Sequence, residues 1–183
     1  MKTFLQSLRL LAALTILTGF VYPFAVWAAG QAFFRDRAEG SVVTRQGHVV
    51  GSALLAQKTD DPRYFWPRPS AGDYATVASG ASNQAWSSAR LAAAVAERRT
   101  ALGGGNVPAD LLTASGSGLD PDLSAKAVHF QADRVAAARK LTPTQRGALD
   151  ELIARHVEGS QFSMPRINVL QLNLALETAF PAP

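Results

Sequence analysis

The 183-residue chain has no cysteine. Disulfides, thiolate metal sites and cysteine nucleophiles are therefore excluded. Its three histidines, His48, His129 and His156, are scattered without metal-ligand spacing, and no His-Glu-x-x-His occurs. Charge is missing from one long stretch: Leu10 to Phe34 carries none, with Arg9 before it and Arg35-Asp36-Arg37 after it. The formal net charge is +4, yet from residue 35 onward 16 basic side chains face 14 acidic ones. No basic run is interleaved with aromatics, so a surface that tracks phosphates is excluded and no nucleic-acid partner is expected.

What is present begins with the uncharged run. A helix over those residues rises about 37 Å at about 1.5 Å per residue, and a bilayer core of about 30 Å needs about 20 apolar residues. Leu10 to about Ala29 thus reads as a transmembrane helix, residues 1–9 as its cytoplasmic leader, and 10–34 as the span with its exit. Tyr22 and Trp27 suit the lipid–water boundary. Pro23 is tolerated in a membrane helix when neighbouring groups satisfy the freed carbonyl. The rival reading is a cleaved signal peptide, with Val26-Trp27-Ala28 before the cut; the run exceeds the usual apolar region of about 7–15 residues. Basic residues nearly balance across the span. The short leader and long following segment favour a cytoplasmic N-terminus and an extracytoplasmic domain over 35–183.

The remainder, about 150 residues, is enough for one core. Ser41 to Thr44 reads as a short strand, and His48 to Gln57 as two short strands or one strand bent at Gly51. Asp60-Asp61-Pro62-Arg63 is a turn, and the prolines of Tyr64-Phe65-Trp66-Pro67-Arg68-Pro69-Ser70-Ala71 forbid helix there. A helix capped by Ser87 or Ser88 runs to about Leu102 and stops at Gly103-Gly104-Gly105. Asp120 before Pro121, or else Ser124, caps a second helix reaching Lys140 or Leu141, with Arg134, Arg139 and Lys140 on its exposed side. Thr142-Pro143-Thr144-Gln145 is a capping box for a third. Arg166 to Leu174 alternates with a phase slip at Val169-Leu170, as a strand followed by a second strand or a terminal helix. The expected fold is a soluble α/β (α+β) domain, helices packed on a small sheet, tethered by one N-terminal transmembrane helix.

Catalytic chemistry is hard to find. Ser115-Gly116-Ser117-Gly118 lacks the glycine spacing of a nucleophile elbow and the Lys-Ser/Thr of a P-loop, leaving a generic amide nest for anions or a structural loop. His156-Val157-Glu158 copies part of a zinc-deaminase signature without its cysteine pair. No catalytic or metal-ligating residue is assigned. A tethered serine hydrolase using Ser117 with His129 or His156, and a released binding protein, are the alternatives of another class.

Taken in order, several blocks resemble the C subunit of the Kdp-type potassium-transporting ATPase. They are Gly51 to Gln57, Tyr64 to Ala71, Ser79 to Asn83, Thr113 to Pro121, Gln131 to Ala136 and Pro165 to Leu170, behind an N-terminal span. Ala56 stands where that family usually has Gly, Asp122 where His is frequent, and Ser163-Met164 where Gly-Glu is usual. The resemblance implies a non-catalytic subunit of a bacterial inner-membrane pump. The implied partners are a channel-like potassium-binding subunit, a P-type ATPase subunit, a small single-span subunit and membrane lipid. The chain itself lacks the Asp-Lys-Thr-Gly phosphorylation motif and a potassium filter. Two roles are implied. In one the subunit stabilises assembly. In the other it is a catalytic chaperone that raises ATP affinity of the ATPase subunit through the Ser115–Gly118 loop and Gln131, with ATP as the only cofactor in question. Arg68, Ser70, Asn83, Ser115, Ser117, Asp120, Gln131, Arg134, Arg166 and Asn168 carry over as partner- or nucleotide-contact candidates.

Overall fold

The computed structural model describes residues 2–159 and 163–181. These divide into two compact units, one through Val42 and one from Val43. The first unit is led by a continuous helix, Lys2–Phe33, long and apolar enough to cross a membrane. It comprises α1 (Lys2–Ile16), a π-helical turn (Leu17–Val21) and α2 (Tyr22–Phe33). Pro23 explains the wide turn. Its ring would press on the carbonyl of Gly19, and it has no N–H to give; the preceding turn widens instead, so that the Tyr22 amide donates to the Leu17 carbonyl. A short helix, α3 (Arg35–Ala38), follows.

The hairpin β1 (Val42–Arg45) and β2 (His48–Ser52) belongs to the second unit from Val43 onward. Gln46 and Gly47 both have positive φ, the type I′ geometry that matches strand twist. Next come α4 (Ala89–Ala101), α5 (Ala109–Leu112), β3 (Asp122–Leu123), α6 (Ala125–Ala138), α7 (Pro143–Arg155), β4 (Ile167–Asn168) and α8 (Val169–Ala179). The expected single small sheet is in fact two two-stranded ribbons, β1–β2 and β3–β4. β3 pairs antiparallel with β4, Asp122 opposite Asn168 and Leu123 opposite Ile167.

Local chemistry sets the helix starts. Ser88, Ser124 and Thr142 each accept an amide hydrogen bond from the first turn, and Gln145 closes the capping box of α7. Asp120-Pro121 does not cap α6; it leads into β3, and Ser124 is the cap. The phase slip at Val169-Leu170 is where strand changes to helix, with Asn168 capping α8. Gly103 to Gly105 all hold positive φ, which lets the chain leave α4 at once. The core lies among α5, α6, α7 and α8, around Phe65, Val128, Val135, Leu149, Ile153 and Leu172. α4 buries no residue completely and meets the core through Val95 and, just beyond its end, Leu102.

Candidate functional site

The proline-rich segment from Pro62 to Ser70 cannot join a sheet, because Pro62, Pro67 and Pro69 have no N–H to give. Its other backbone groups still need partners when buried. Side chains of α6 and α8 supply them. The Phe65 amide donates to Asn173 Oδ1 at 2.9 Å, and Asn173 Nδ2 returns a bond to the Phe65 carbonyl at 2.9 Å. Gln131 does the same for Trp66, at 2.9 Å and 3.1 Å. Two carboxamides thus copy the paired bonds of a neighbouring strand, and Phe65 is driven fully into the core.

Two arginines complete the clamp. Arg134 donates to the carbonyls of Pro62 (2.7 Å) and Tyr64 (3.1 Å) and to Gln131 Oε1 (2.7 Å), and its guanidinium lies 3.8 Å from the Trp66 ring centroid. Burial pulls its pKa down to about 10, so it stays charged at neutral pH. Arg139 donates to the carbonyls of Arg63 and Phe180 and to Glu177 Oε1. Its side chain is 1% exposed. The expectation that Arg134 and Arg139 decorate the solvent side of their helix is corrected: the carbonyls of the proline-rich segment draw both inward. Tyr64 OH also donates to Glu177 Oε1, at 2.8 Å. Burial pushes the Glu177 carboxyl up, but Arg139, Tyr64 and Arg45 outweigh it, and its pKa ends below the ordinary value.

The serine loop lies against the far end of this segment. Arg68 donates to Asp120 Oδ2 at 2.9 Å, and Asp120 Oδ1 accepts from the Asp122 amide at 3.1 Å. The Ser115 amide donates to the Pro69 carbonyl, and Ser115 Oγ accepts from the Asp120 amide. Ser117 Oγ accepts from the Leu119 amide. Ser70 Oγ accepts from the Tyr74 amide at 2.9 Å. Gly118 has φ +71°, and a Cβ there would come within 3.0 Å of the Gly80 carbonyl and of Ser70 Oγ. Asn168 Nδ2 donates to the Ala53 carbonyl at 2.7 Å, while its Oδ1 accepts from Gln171. Arg166 Nε stands 3.0 Å from Asp122 Oδ2. Burial raises the Asp122 pKa, and Arg166 opposes that rise.

Of the ten residues singled out in the sequence, nine therefore tie backbone segments together. Arg68, Ser115, Ser117 and Asp120 fasten the serine loop; Ser70 holds the turn to Tyr74; Gln131 and Arg134 hold the proline-rich segment; Arg166 and Asn168 fasten β4 to β3 and Ala53. Asn83 stands apart, exposed at φ +51°. Asn173 and Glu177 belong to the same lattice and escaped sequence reading, as did Arg139, whose charge assigns it to solvent. An amide among the leucines of α8, two residues after Gln171, was the one local signal for Asn173.

The groove over the serine loop, about 360 Å³, is lined by Leu54, Ser79, Ser117 and Asp120 among others, and by no lysine or arginine. The amides of Ser115, Gly118, Leu119 and Asp120 are already donating within the domain. An anion nest is poorly served there: those four amides are spent, and the groove's charged lining residue is a carboxylate. Nor is a serine nucleophile assembled. His129 Nδ1 faces Asp150 Oδ1 at 3.5 Å and His156 Nδ1 the Leu152 carbonyl at 2.8 Å. Among the described residues, neither Ser115 nor Ser117 is hydrogen-bonded to an imidazole.

Comparison with known proteins covers nearly the whole chain. The family model for K+-transporting ATPase, c chain (KdpC), matches residues 4–178. A potassium-transporting ATPase KdpC subunit of Sorangium cellulosum is 48% identical, over 94% of this chain and 96% of its own length. Those of Leptospira interrogans and Burkholderia vietnamiensis are 46% and 45% identical, covering 95% and 98% of this chain and 93% and 98% of their own lengths. With this length of match, and with the resembling blocks forming the lattice described above, the chain belongs to the KdpC family, the c chains of K+-transporting ATPases.

Proposed function

We propose that this chain is the accessory, non-catalytic subunit of an ATP-driven, high-affinity potassium import pump, and that it stabilises assembly of the channel-like and P-type ATPase subunits. The observation that carries the reading is the family match over residues 4–178. The side-chain chemistry agrees with it. The chain has no Asp-Lys-Thr-Gly motif, and in its serine loop the Ser115 and Ser117 hydroxyls and the amides of Ser115, Gly118, Leu119 and Asp120 bond within the domain. In this reading the Lys2–Phe33 helix anchors the chain in the bacterial inner membrane, with the N-terminus cytoplasmic and the second unit extracytoplasmic. A small single-span subunit completes the complex, lipid surrounds the helix, and ATP enters through the ATPase subunit alone.

The chaperone alternative, in which the Ser115–Gly118 loop and Gln131 raise ATP affinity, asks Gln131 to leave its bonds to Trp66. Gln131 is 1% exposed, and leaving would strip both backbone partners from Trp66. The test is a mild-detergent pull-down of the tagged full chain from potassium-starved cells, with mass spectrometry and a potassium-stimulated ATPase assay. Recovery of a P-type ATPase and a channel-like subunit in stoichiometric amounts is expected; recovery of the chain alone overturns the reading. A reporter fused after Pro183 should be active only outside the cytoplasm.

A further inference from the structure

Most arginines of the second unit are neutralised within it. Arg45, Arg63, Arg68, Arg139, Arg146 and Arg166 each stand 2.6–3.8 Å from a carboxylate oxygen. Helix α4 departs from this. It carries Arg90, Arg98 and Arg99 with one acid, Glu97, and among the described residues none of the three arginines forms a salt bridge. Positive charge is therefore concentrated on this helix without an internal counter-charge.

Two of these arginines share a cavity of about 160 Å³. Arg90, Arg98, Ser82 and Gln84 line it around Leu91 and Ala94, and neither Glu97 nor any other acid does. Ala94 falls midway between the arginines, four residues from each, both along the helix axis and around it. Its small side chain leaves room there for an ion that both guanidinium groups touch. Arg98 is fixed in place, since one of its five N–H groups donates to the Leu112 carbonyl at 2.8 Å. Gln84 is held by Ser88 Oγ, the cap of α4, at 2.7 Å. Among the described residues the Arg90 guanidinium and the Ser82 hydroxyl make no hydrogen bond within the domain. Like charges bordering one small space repel, and the donor forks of arginine match the geometry of oxyanions. Pockets for drug-sized ligands begin near about 300 Å³, so this one takes a single anionic group and not a whole nucleotide. A phosphate suits the set better than a carboxylate. It carries a charge of up to about −2 and three acceptor oxygens, for two guanidinium groups and a hydroxyl.

We infer that the cavity between Arg90 and Arg98 is a binding site for one phosphate dianion, taken either as the free ion or as a phosphomonoester group. Arg98 and Gln84 are held ready by the fold, Arg90 closes on the ion from the solvent side, and the Ser82 hydroxyl donates to a remaining oxygen. The inference goes beyond the pump-subunit reading and does not rest on it, so the purified chain suffices to test it.

The experiment titrates inorganic phosphate, and separately glycerol 3-phosphate, into the full chain in non-ionic detergent at constant ionic strength, read by calorimetry. Wild type is compared with Arg90→Gln, Ala94→Glu and Arg155→Gln. Arg90 makes no bond in the fold, so Arg90→Gln should keep the wild-type Tm. Ala94→Glu sets a carboxylate between the two arginines, in the place of the ion. Arg155 is exposed on α7 outside the cavity, and its variant is the control. Wild type is expected to bind one equivalent saturably. Arg90→Gln should weaken that binding by about tenfold or more, the fold-change of one lost charged hydrogen bond. Ala94→Glu should abolish it, and Arg155→Gln should match wild type. Tighter binding of inorganic phosphate assigns the free ion, and tighter binding of glycerol 3-phosphate assigns a phosphomonoester such as a lipid headgroup; both outcomes uphold the site. Absence of saturable binding of either compound to wild type overturns the inference. So does an affinity that Arg90→Gln leaves unchanged, or an equal loss in Arg155→Gln, which would reduce the effect to diffuse charge.

Discussion

Gln131→Leu separates a positioning role for that amide from a nucleotide role. Leucine nearly fills the volume of glutamine but can neither donate nor accept. The change removes the acceptor of the Trp66 amide, the donor to the Trp66 carbonyl, and one of the three oxygens that hold Arg134. The Trp66 N–H and C=O are left without protein partners beneath the indole. Each unsatisfied buried group costs about 1–3 kcal/mol, so a loss of about 2–5 kcal/mol is expected. The Gln131 bond to the Ala127 carbonyl, at 3.4 Å, adds little. For a domain of this size that corresponds to a Tm lower by roughly 10 °C. The assay is thermal unfolding of the full chain in mild detergent, followed by near-ultraviolet circular dichroism, beside an ATP titration of the assembled pump. A Tm within about 2 °C of wild type would refute the reasoning, and a weakened ATP affinity at that unchanged Tm would move Gln131 to the nucleotide.

Three further outcomes are expected. Arg139→Leu leaves the carbonyls of Arg63 and Phe180 and the Glu177 carboxylate without their shared donor, at about 3–5 kcal/mol; Arg139→Leu with Glu177→Leu should recover part of that in urea unfolding, and a double variant worse than the sum of the singles would contradict the account. Gly118→Ala should cost about 1–3 kcal/mol, from its left-handed φ and the crowding of the Gly80 carbonyl, while Gly116→Ala, which meets nothing within 4 Å, should change stability by less than about 1 kcal/mol. The Glu177 pKa is lowered in the folded state, so its contribution is fully present above the unfolded glutamate value of about 4.3 and is lost as the pH falls through the lower folded value. Glu177→Gln should therefore flatten the acid limb of the stability–pH curve below about pH 4, and an unchanged limb would show that the carboxylate is not held by Arg139.

Some of this protein was written into short windows of sequence. A helix start needs only a side-chain oxygen within three residues of a free amide, so Ser88, Ser124 and the Thr142–Gln145 box were legible, as was the stop at Gly103-Gly104-Gly105. The Leu10–Phe34 run was legible for a similar reason: length and lack of charge are summed along the chain, and no partner is needed to see them. The ordered blocks were enough to point to the family. The strand-to-helix change at Val169 was visible only as a slip in period, because residues before it follow a repeat of two and residues after it a repeat of 3.6. Asn168 looked like one polar step in that alternation, and its capping role depended on which element followed.

The tertiary structure decided the rest. Gln131 reaches a residue 65 positions away and Asn173 one 108 positions away. Charge assigns Arg134 on α6 and Arg139 at its C-cap to solvent, although position 139 continues the stripe of Val128, Ala132 and Val135; both donate inward to the carbonyls of the proline-broken segment that arrives beside them. A buried carbonyl must be satisfied by whatever donor the fold brings within about 3 Å, and that pairing is a property of the packed chain rather than of either segment. The exposure of Trp86 is of the same kind. Hydrophobicity alone would have placed it in a core, and only the folded surface leaves it in water.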